Sequence, residues 1–189
     1  EFHKLANDVL GQGNDYFGLG DTYLQLGKLN DAEASYQKAL EFHKLANDVL
    51  GQGNDYFGLG DTYLQLGKIN DAEASYQKAL EFYKLGNSVL GQGNVYNRIG
   101  DIYLHLDKLN DAEASYYKAL QLYKVASDSL GQGNALYHLA RVQMKKLQWQ
   151  NAKSLLDDAL LIHKQAHSLI GQERDQYCLN EVLSKMAQP

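Results

Sequence analysis

One period governs the chain. Residues 1–40 and 41–80 differ at a single position, Leu29 against Ile69, and residues 81–120 match residues 1–40 at 29 of 40 positions. Residues 121–160 keep the frame more loosely, and 161–189 follow it to the last residue. The segment Leu-Gly-Gln-Gly-Asn falls at 10–14, 50–54, 90–94 and 130–134, and returns in part as Ile170-Gly171-Gln172. Such a period marks a supersecondary unit that cannot bury its apolar side alone and must stack on its neighbours. With 189 residues the chain has room for one globular domain or one short array. The period selects the array.

Each period divides into two helical segments. From about Val9 to Leu26 the apolar residues Leu10, Tyr16, Leu19, Tyr23 and Leu26 keep to one side at helical spacing. Gly27-Lys28 stops this helix, since glycine readily takes the left-handed conformation just past a helix end. The second helix opens at Asn30-Asp31-Ala32-Glu33, where the spacing predicts an Asn cap facing a Glu three residues on. It carries Ala32, Tyr36, Ala39, Leu40 and His43 toward Asn47, which can also end a helix. No alternating β-branched run competes. The class is all-α.

The small residues predict close packing. A glycine inside a helix costs about 1 kcal/mol relative to alanine, yet Gly13 recurs at 53, 93 and 133, and Gly20 at 60 and 100, with Ala140 in the fourth copy. A small residue held at one helical address implies that a neighbouring helix passes there. Gly18 differs, because its equivalents are Gly58, Arg98 and His138. That face is expected to meet water.

Composition closes several avenues. A formal net charge of −5 offers no basic stripe for gripping phosphates, so no nucleic-acid partner is expected. No apolar run approaches the roughly 18 residues of a membrane helix. The start, Glu1-Phe2-His3-Lys4, has neither an initiator Met nor a signal-peptide pattern. The single cysteine, Cys178, cannot form an internal disulfide, and a cytoplasmic setting is the default expectation.

Chemistry-bearing residues give little. His3, His43 and His163 share an address with Tyr83 and Tyr123, and exchange with tyrosine points to packing instead of metal binding. His105, His138 and His167 stand at unrelated addresses. Cys178 reads as a small core residue, and Trp149 takes the hairpin-turn slot of Leu29. Gly11-Gln12-Gly13 lies within a helix and cannot cradle a phosphate. No Cys–His metal spacing or nucleophile elbow exists. The expectation is a non-enzyme without cofactor or metal.

The pattern of aromatic, Leu-Gly, Tyr, Gly, Ala, aromatic, Ala falls on Tyr16, Leu19-Gly20, Tyr23, Gly27, Ala32, Tyr36 and Ala39. The second copy repeats it at Tyr56, Leu59-Gly60, Tyr63, Gly67, Ala72, Tyr76 and Ala79, and the third at Tyr96, Ile99-Gly100, Tyr103, Asp107, Ala112, Tyr116 and Ala119. The fourth weakens in its first helix and keeps Ala152, Leu156 and Ala159. The chain thus resembles the tetratricopeptide repeat family over nearly its whole length. The ordinary repeat of that family is about 34 residues long and tends to close on proline. This one is longer and lacks the proline, and so is similar to the 40-residue subclass of Pins-type spindle-orientation adaptors and of the sensor arms of NB-ARC or NACHT receptor proteins. Near-identity of adjacent copies fits the second group better.

The resemblance implies a right-handed superhelical α-solenoid of antiparallel helix hairpins whose first helices line a concave groove. Its expected divisions are 1–7 as the remnant of an upstream second helix, repeats at 8–47, 48–87, 88–127 and 128–167, and a capping helix at 168–189. Transferred to this sequence, the groove positions are Asn14, Phe17, Asp21 and Gln25 with Leu24, then Asn54, Phe57, Asp61 and Gln65 with Leu64. The third copy offers Asn94, Asn97, Asp101 and His105 with Leu104, and the fourth Asn134, Tyr137, Arg141 and Lys145 with Met144. The capping helix adds Arg174 and Tyr177, with Glu181 and Lys185.

Two functional expectations follow. An acidic row of Asp21, Asp61 and Asp101, followed by Arg141, Lys145 and Arg174, would orient a protein or peptide ligand carrying a basic and an acidic segment. The Asn ladder could grip peptide backbone, although the same asparagines could equally bond neighbouring helices. The family's clamp for a terminal carboxylate is absent, because Phe17 and Asp21 stand where it needs Lys and Asn. The alternative is end-to-end self-association, since near-identical repeats can make heterologous contacts that do not close.

Overall fold

In a computed structural model of the chain, residues 2–187 are described, with side chains from Asp8 onward. Among them lie nine helices: α1 (Phe2–Gln25), α2 (Leu29–Leu45), α3 (Val49–Gln65), α4 (Ile69–Leu85), α5 (Val89–His105), α6 (Leu109–Val125), α7 (Ser129–Lys145), α8 (Trp149–Gln165) and α9 (Leu169–Met186). The chain belongs to the all-α solenoid class of stacked helix hairpins. It divides into two compact units, Glu1–Val95 and Tyr96–Pro189.

The helices stop where left-handed residues stand. Gly27 and Gly67 take φ of 70° and 72°, and Asn47 and Asn87 take 54°. At the first of these turns the Gly27 N–H donates to Leu24 O at 3.1 Å and the Lys28 N–H to Tyr23 O at 2.9 Å. Paired bonds of this kind satisfy carbonyls that the helix end would otherwise leave open. The stops predicted at Gly27 and Asn47 therefore stand. Asp107, Ser127, Leu147 and His167 adopt the same conformation without glycine's freedom, at φ of 55–59°.

The predicted start of the second helix needs correction. Helix α2 begins at Leu29 with Lys28 as its N-cap and no side-chain capping bond, so Asn30 lies inside the first turn and the Asn30–Glu33 pair does not cap. The left-handed Gly27 swings the chain straight into helix, and Leu29 is drawn inward to half-burial. Capping oxygens serve three turns that lead into a first helix: Asp48 accepts from the Leu50 N–H at 3.1 Å, Ser88 from the Gly91 N–H at 3.2 Å and Ser168 from the Gly171 N–H at 3.3 Å. Helix α1 starts at Phe2, with no boundary near Val9. The assignment of residues 1–7 to an upstream unit turns on residue 1 and on side chains 2–7, which lie outside the described set.

In the first unit α2 packs against both α1 and α3, and α4 packs against α3. Ala32, Tyr36, Leu40 and Leu59 form its core, with Phe17, Tyr23, Leu24, Tyr56 and Tyr63 around them. Tyr36 is fully buried because two glycines make room for its ring. A Cβ at Gly20 of its own hairpin would come within 2.6 Å of that ring, and one at Gly58 of the next hairpin within 2.5 Å. His43 lies likewise between Gly13 and Gly51. The close approach expected at Gly13 and Gly20 is real. The water-facing reading of the Gly18 address is wrong at Gly58, which is buried where the preceding tyrosine covers it. Leu26, placed on the apolar face, is 64% exposed because the chain turns at the next residue.

In the second unit α7 packs on α6 and α8, and α8 packs on α9. One core cluster joins Leu104, Tyr116, Leu120, Tyr123, Leu139 and Val142, and another joins Ala140, Ala152, Leu156, Cys178, Leu179 and Val182. Trp149 packs against the second cluster, and Cys178 is a core member, as their addresses predicted.

Candidate functional site

In the first unit α1 and α3 carry Asn14, Phe17, Asp21 and Gln25, and Asn54, Phe57, Asp61 and Gln65. The carboxylates are tied down. Tyr36 donates its hydroxyl to Asp21 Oδ1 at 2.6 Å, and Tyr76 donates to Asp61 Oδ1 at 2.5 Å. Burial, and then the Asp21 carboxylate, push the Tyr36 hydroxyl far above the usual phenol range, so it stays a donor. Phe17 and Phe57 each lean on the same tyrosines at centroid distances of 5.6 Å and remain half-buried. Gln25 and Gln65 are exposed.

The asparagines are also engaged. Asn14 Oδ1 lies 3.3 Å from His43 Nε2, and Asn54 Oδ1 accepts from the Tyr83 hydroxyl at 2.8 Å. His43 completes a buried pair across the hairpin boundary, its Nδ1 2.6 Å from Asp55 Oδ2. The second unit repeats that pair between His163 and Asp175 at 2.5 Å. Burial pushes the Asp55 carboxyl up to about 7 although His43 works in the opposite direction. The tyrosines at the same address stand twelve residues before Val95 and Ala135 in place of Asp. Histidine and aspartate thus occur together or not at all.

In the second unit the candidate residues gather more closely. Asp101 Oδ1 accepts from the Tyr116 hydroxyl at 2.8 Å and lies 3.4 Å from His138 Nδ1, while Asp101 Oδ2 faces Arg98 at 3.6 Å. His138 stacks on Tyr116 at 5.0 Å with planes 12° apart and meets the Tyr137 ring edge-on at 5.3 Å. The Arg174 guanidinium lies 3.8 Å from the Tyr137 ring centre and donates to Asn134 Oδ1 at 2.9 Å. Arg141 approaches the same ring at 5.8 Å. Burial pushes the His138 imidazole down to about 4; Arg141, Arg174 and Arg98 add to that shift and Asp101 opposes it. His138 is a residue that sequence reasoning missed. The signal was available, since its address is that of Gly58, the glycine beneath a tyrosine ring.

Beside this cluster opens a concavity of 300 Å³ lined by Leu104, Arg141, Met144, Lys145, Trp149, Cys178 and Glu181. Arg141 and Lys145 were sequence candidates, and Leu104, Met144 and Glu181 their companions. Lys145 also donates to Asp107 at 2.8 Å. Tyr177 does not line this hollow; it borders another with Leu160 and Lys164. Asn97 is half-buried on α5 and His105 exposed at its end, while Asn94 falls in the first unit. Among the described residues no three His, Cys, Asp or Glu side chains gather as a metal site requires, and no helix is long and apolar enough to cross a membrane.

A family model described as tetratricopeptide repeat matches residues 14–84 and 91–165. The chain belongs to the tetratricopeptide repeat family. No curated protein matches it. Solved structures agree with this repeat fold at low identity. The apo form of RapI superposes with a TM-score of 0.75 at 16% identity, covering 84% of this chain and 58% of that one. Aspartyl phosphate phosphatase F from Bacillus subtilis gives 0.88 at 14%, covering 93% and 46%. A signal transduction ATPase with numerous domains (STAND) and a tetratricopeptide repeat sensor, from Pyrococcus horikoshii, gives 0.74 at 20%, covering 95% and 28%. The chain therefore spans about half the length of the first two structures. At such identities the likeness concerns the fold alone.

Proposed function

We propose that this tetratricopeptide repeat chain is a protein- or peptide-binding scaffold whose contact surface is the face carried by the first helices. One observation carries the reading: the 300 Å³ concavity sets exposed Arg141 and Lys145 beside Leu104, Met144 and Trp149. Anchoring residues at protein interfaces combine these properties, an apolar recess for a side chain with cationic groups at its rim. Upstream in the chain, Phe17 and Phe57 stay half-exposed beside Asp21 and Asp61. The Asn ladder and the acidic row would then serve twice, bonding within hairpins through one oxygen and meeting ligand with their remaining atoms. By analogy with the relative whose name includes a tetratricopeptide repeat sensor, the chain acts as the sensor or adaptor part of a larger protein.

The test compares affinity capture by the native chain with capture by two variants. Arg141→Glu reverses an exposed charge at the rim. Asp21→Asn combined with Asp61→Asn and Asp101→Asn removes the acidic row while keeping an acceptor for each tyrosine hydroxyl. Partners identified with the native chain should be lost with at least one variant at unchanged melting temperature. A partner held equally by all three would rule out the first-helix face.

A further inference from the structure

The first three hairpins share a bond that the fourth cannot make. Tyr36, Tyr76 and Tyr116 each donate a hydroxyl to the aspartate of the first helix in their own hairpin, Asp21, Asp61 and Asp101. At the same two addresses the fourth hairpin holds Leu156 and Arg141. Leu156 is fully buried and has no hydroxyl to donate, and a guanidinium could not accept one. Both ends of the bond change together, so the charge at this first-helix address passes from tied to untied. Among the described residues Arg141 forms no ion pair; it approaches the Tyr137 ring at 5.8 Å, beside Arg174 at 3.8 Å from the same ring. Its side chain is exposed on the rim of the 300 Å³ hollow. Lys145 on that rim is held by Asp107, but both residues are exposed, and such a pair yields readily to a ligand.

We infer that this hollow takes a peptide segment in which a single carboxylate side chain stands beside one large apolar side chain, an assignment that rests on the scaffold reading above and names its ligand. The apolar group enters among Leu104, Met144, Trp149 and Cys178, and the carboxylate meets Arg141. Size limits the apolar part. A volume of 300 Å³ is at the small end for ligand pockets, with room for one side chain and not for a longer apolar stretch. Met144 can adapt to the shape of that side chain, since a thioether chain is unbranched and pliable. Charge fixes the sign of the neighbour, because Arg141 and Lys145, with Arg174 close behind, outnumber Glu181. Glu181 in turn fixes the number. It is exposed on the same rim, so a second carboxylate would lie against it, and a lone acid is preferred to an acidic run.

The test pans a displayed library of random dodecapeptides against the full chain. Enriched sequences are then synthesised without Trp, acetylated and amidated so that no terminal charge remains. The chain's one tryptophan, Trp149, lines the hollow, so its emission reports occupancy. Enriched peptides should share an Asp or Glu beside Leu, Ile, Met or Phe, and should shift Trp149 emission saturably. Replacing the peptide's acid by its amide should weaken binding by about tenfold or more, the usual scale for a hydrogen bond to a charged group. Arg141→Gln in the chain should weaken it equally at unchanged melting temperature, because that side chain is exposed. Glu181→Gln should admit peptides with acidic runs. Enrichment of basic or wholly apolar peptides would overturn the inference, as would no enrichment at all or equal affinity for the Arg141→Gln chain. In those cases a protein partner lost on substitution of Asp21, Asp61 and Asp101 would leave the scaffold reading standing. Binding of 4-phenylbutyrate as tight as that of the peptides would make the hollow a small-molecule site and overturn the assignment. A dimer in sedimentation, removed by Arg141→Gln, would make the occupant a second copy and overturn it too.

Discussion

His138 lies buried flat against Tyr116, and burial first, with three arginines after it, disfavours its charged form although Asp101 opposes them. Its ionisation is pushed down to about 4, below the roughly 6.5 of an unfolded histidine. Stability that depends on the neutral ring is therefore complete above the unfolded value and is lost as pH falls through the folded one. Asp55 acts in the opposite sense. With its carboxyl pushed up to about 7 by burial, its contribution is greatest when protonated and fades as pH rises from about 4 to about 7. The informative quantity is thus a difference between variants. We predict that His138→Gln flattens the acid side of the stability curve, closing a gap on the order of 3 kcal/mol or less between pH 6.5 and 4. Urea melts across that range check it; parallel loss in both proteins would place the acid sensitivity elsewhere. Much at this scale was legible in the sequence. Exchange of His43 with Tyr83 announced a packed ring, and both side chains also reach an asparagine of the first helix in their own hairpin. The Asp21–Tyr36 bond was not legible, since it joins different helices fifteen residues apart and neither helix's own periodicity records it.

Helix ends follow the same division between what local chemistry announces and what it hides. Gly27 could be read as a stop because the left-handed conformation is its ordinary use. Leu147 could not, because a branched apolar residue rarely adopts φ near 59°, yet the hairpin imposes that value at the equivalent address. The array geometry overrules the residue's preference and carries the strain. Leu147 is 69% exposed, so its side chain returns little by burial. We predict that Leu147→Gly, which restores the residue found at 27 and 67, stabilises the chain by roughly 1 kcal/mol. A rise in urea midpoint at unchanged slope would confirm relief of backbone strain; a fall would mean that the leucine side chain contributes more than its exposure suggests. The failed Asn30 cap has a related origin. Cap preference is a local tendency worth about 1 kcal/mol, and here the preceding turn has already fixed where the helix begins.

For the molecule as a whole, contacts follow chain order: within the second unit α8 touches α7 and α9, its neighbours on either side. Stability in such a stack is a sum of hairpin terms and nearest-neighbour terms, so damage should stay near its origin. Leu156 makes a sharp probe, fully buried on α8 among Ala140 of α7 and Cys178, Leu179 and Val182 of α9. Leu156→Ala should cost about 2–5 kcal/mol by leaving a cavity where the three helices meet. The location of the loss matters more than its size. Amide exchange should quicken throughout α7, α8 and α9, because each relies on that cluster, while α1 to α3 keep their native protection. The outcome bears on function as well. Local loss would leave the Arg141 concavity disordered and the Asp21 and Asp61 face intact, so ligands using either surface could be told apart with one variant. Uniform loss of protection from α1 to α9 would mean that the chain unfolds as a single cooperative body, and the hairpin would then cease to be its unit of stability.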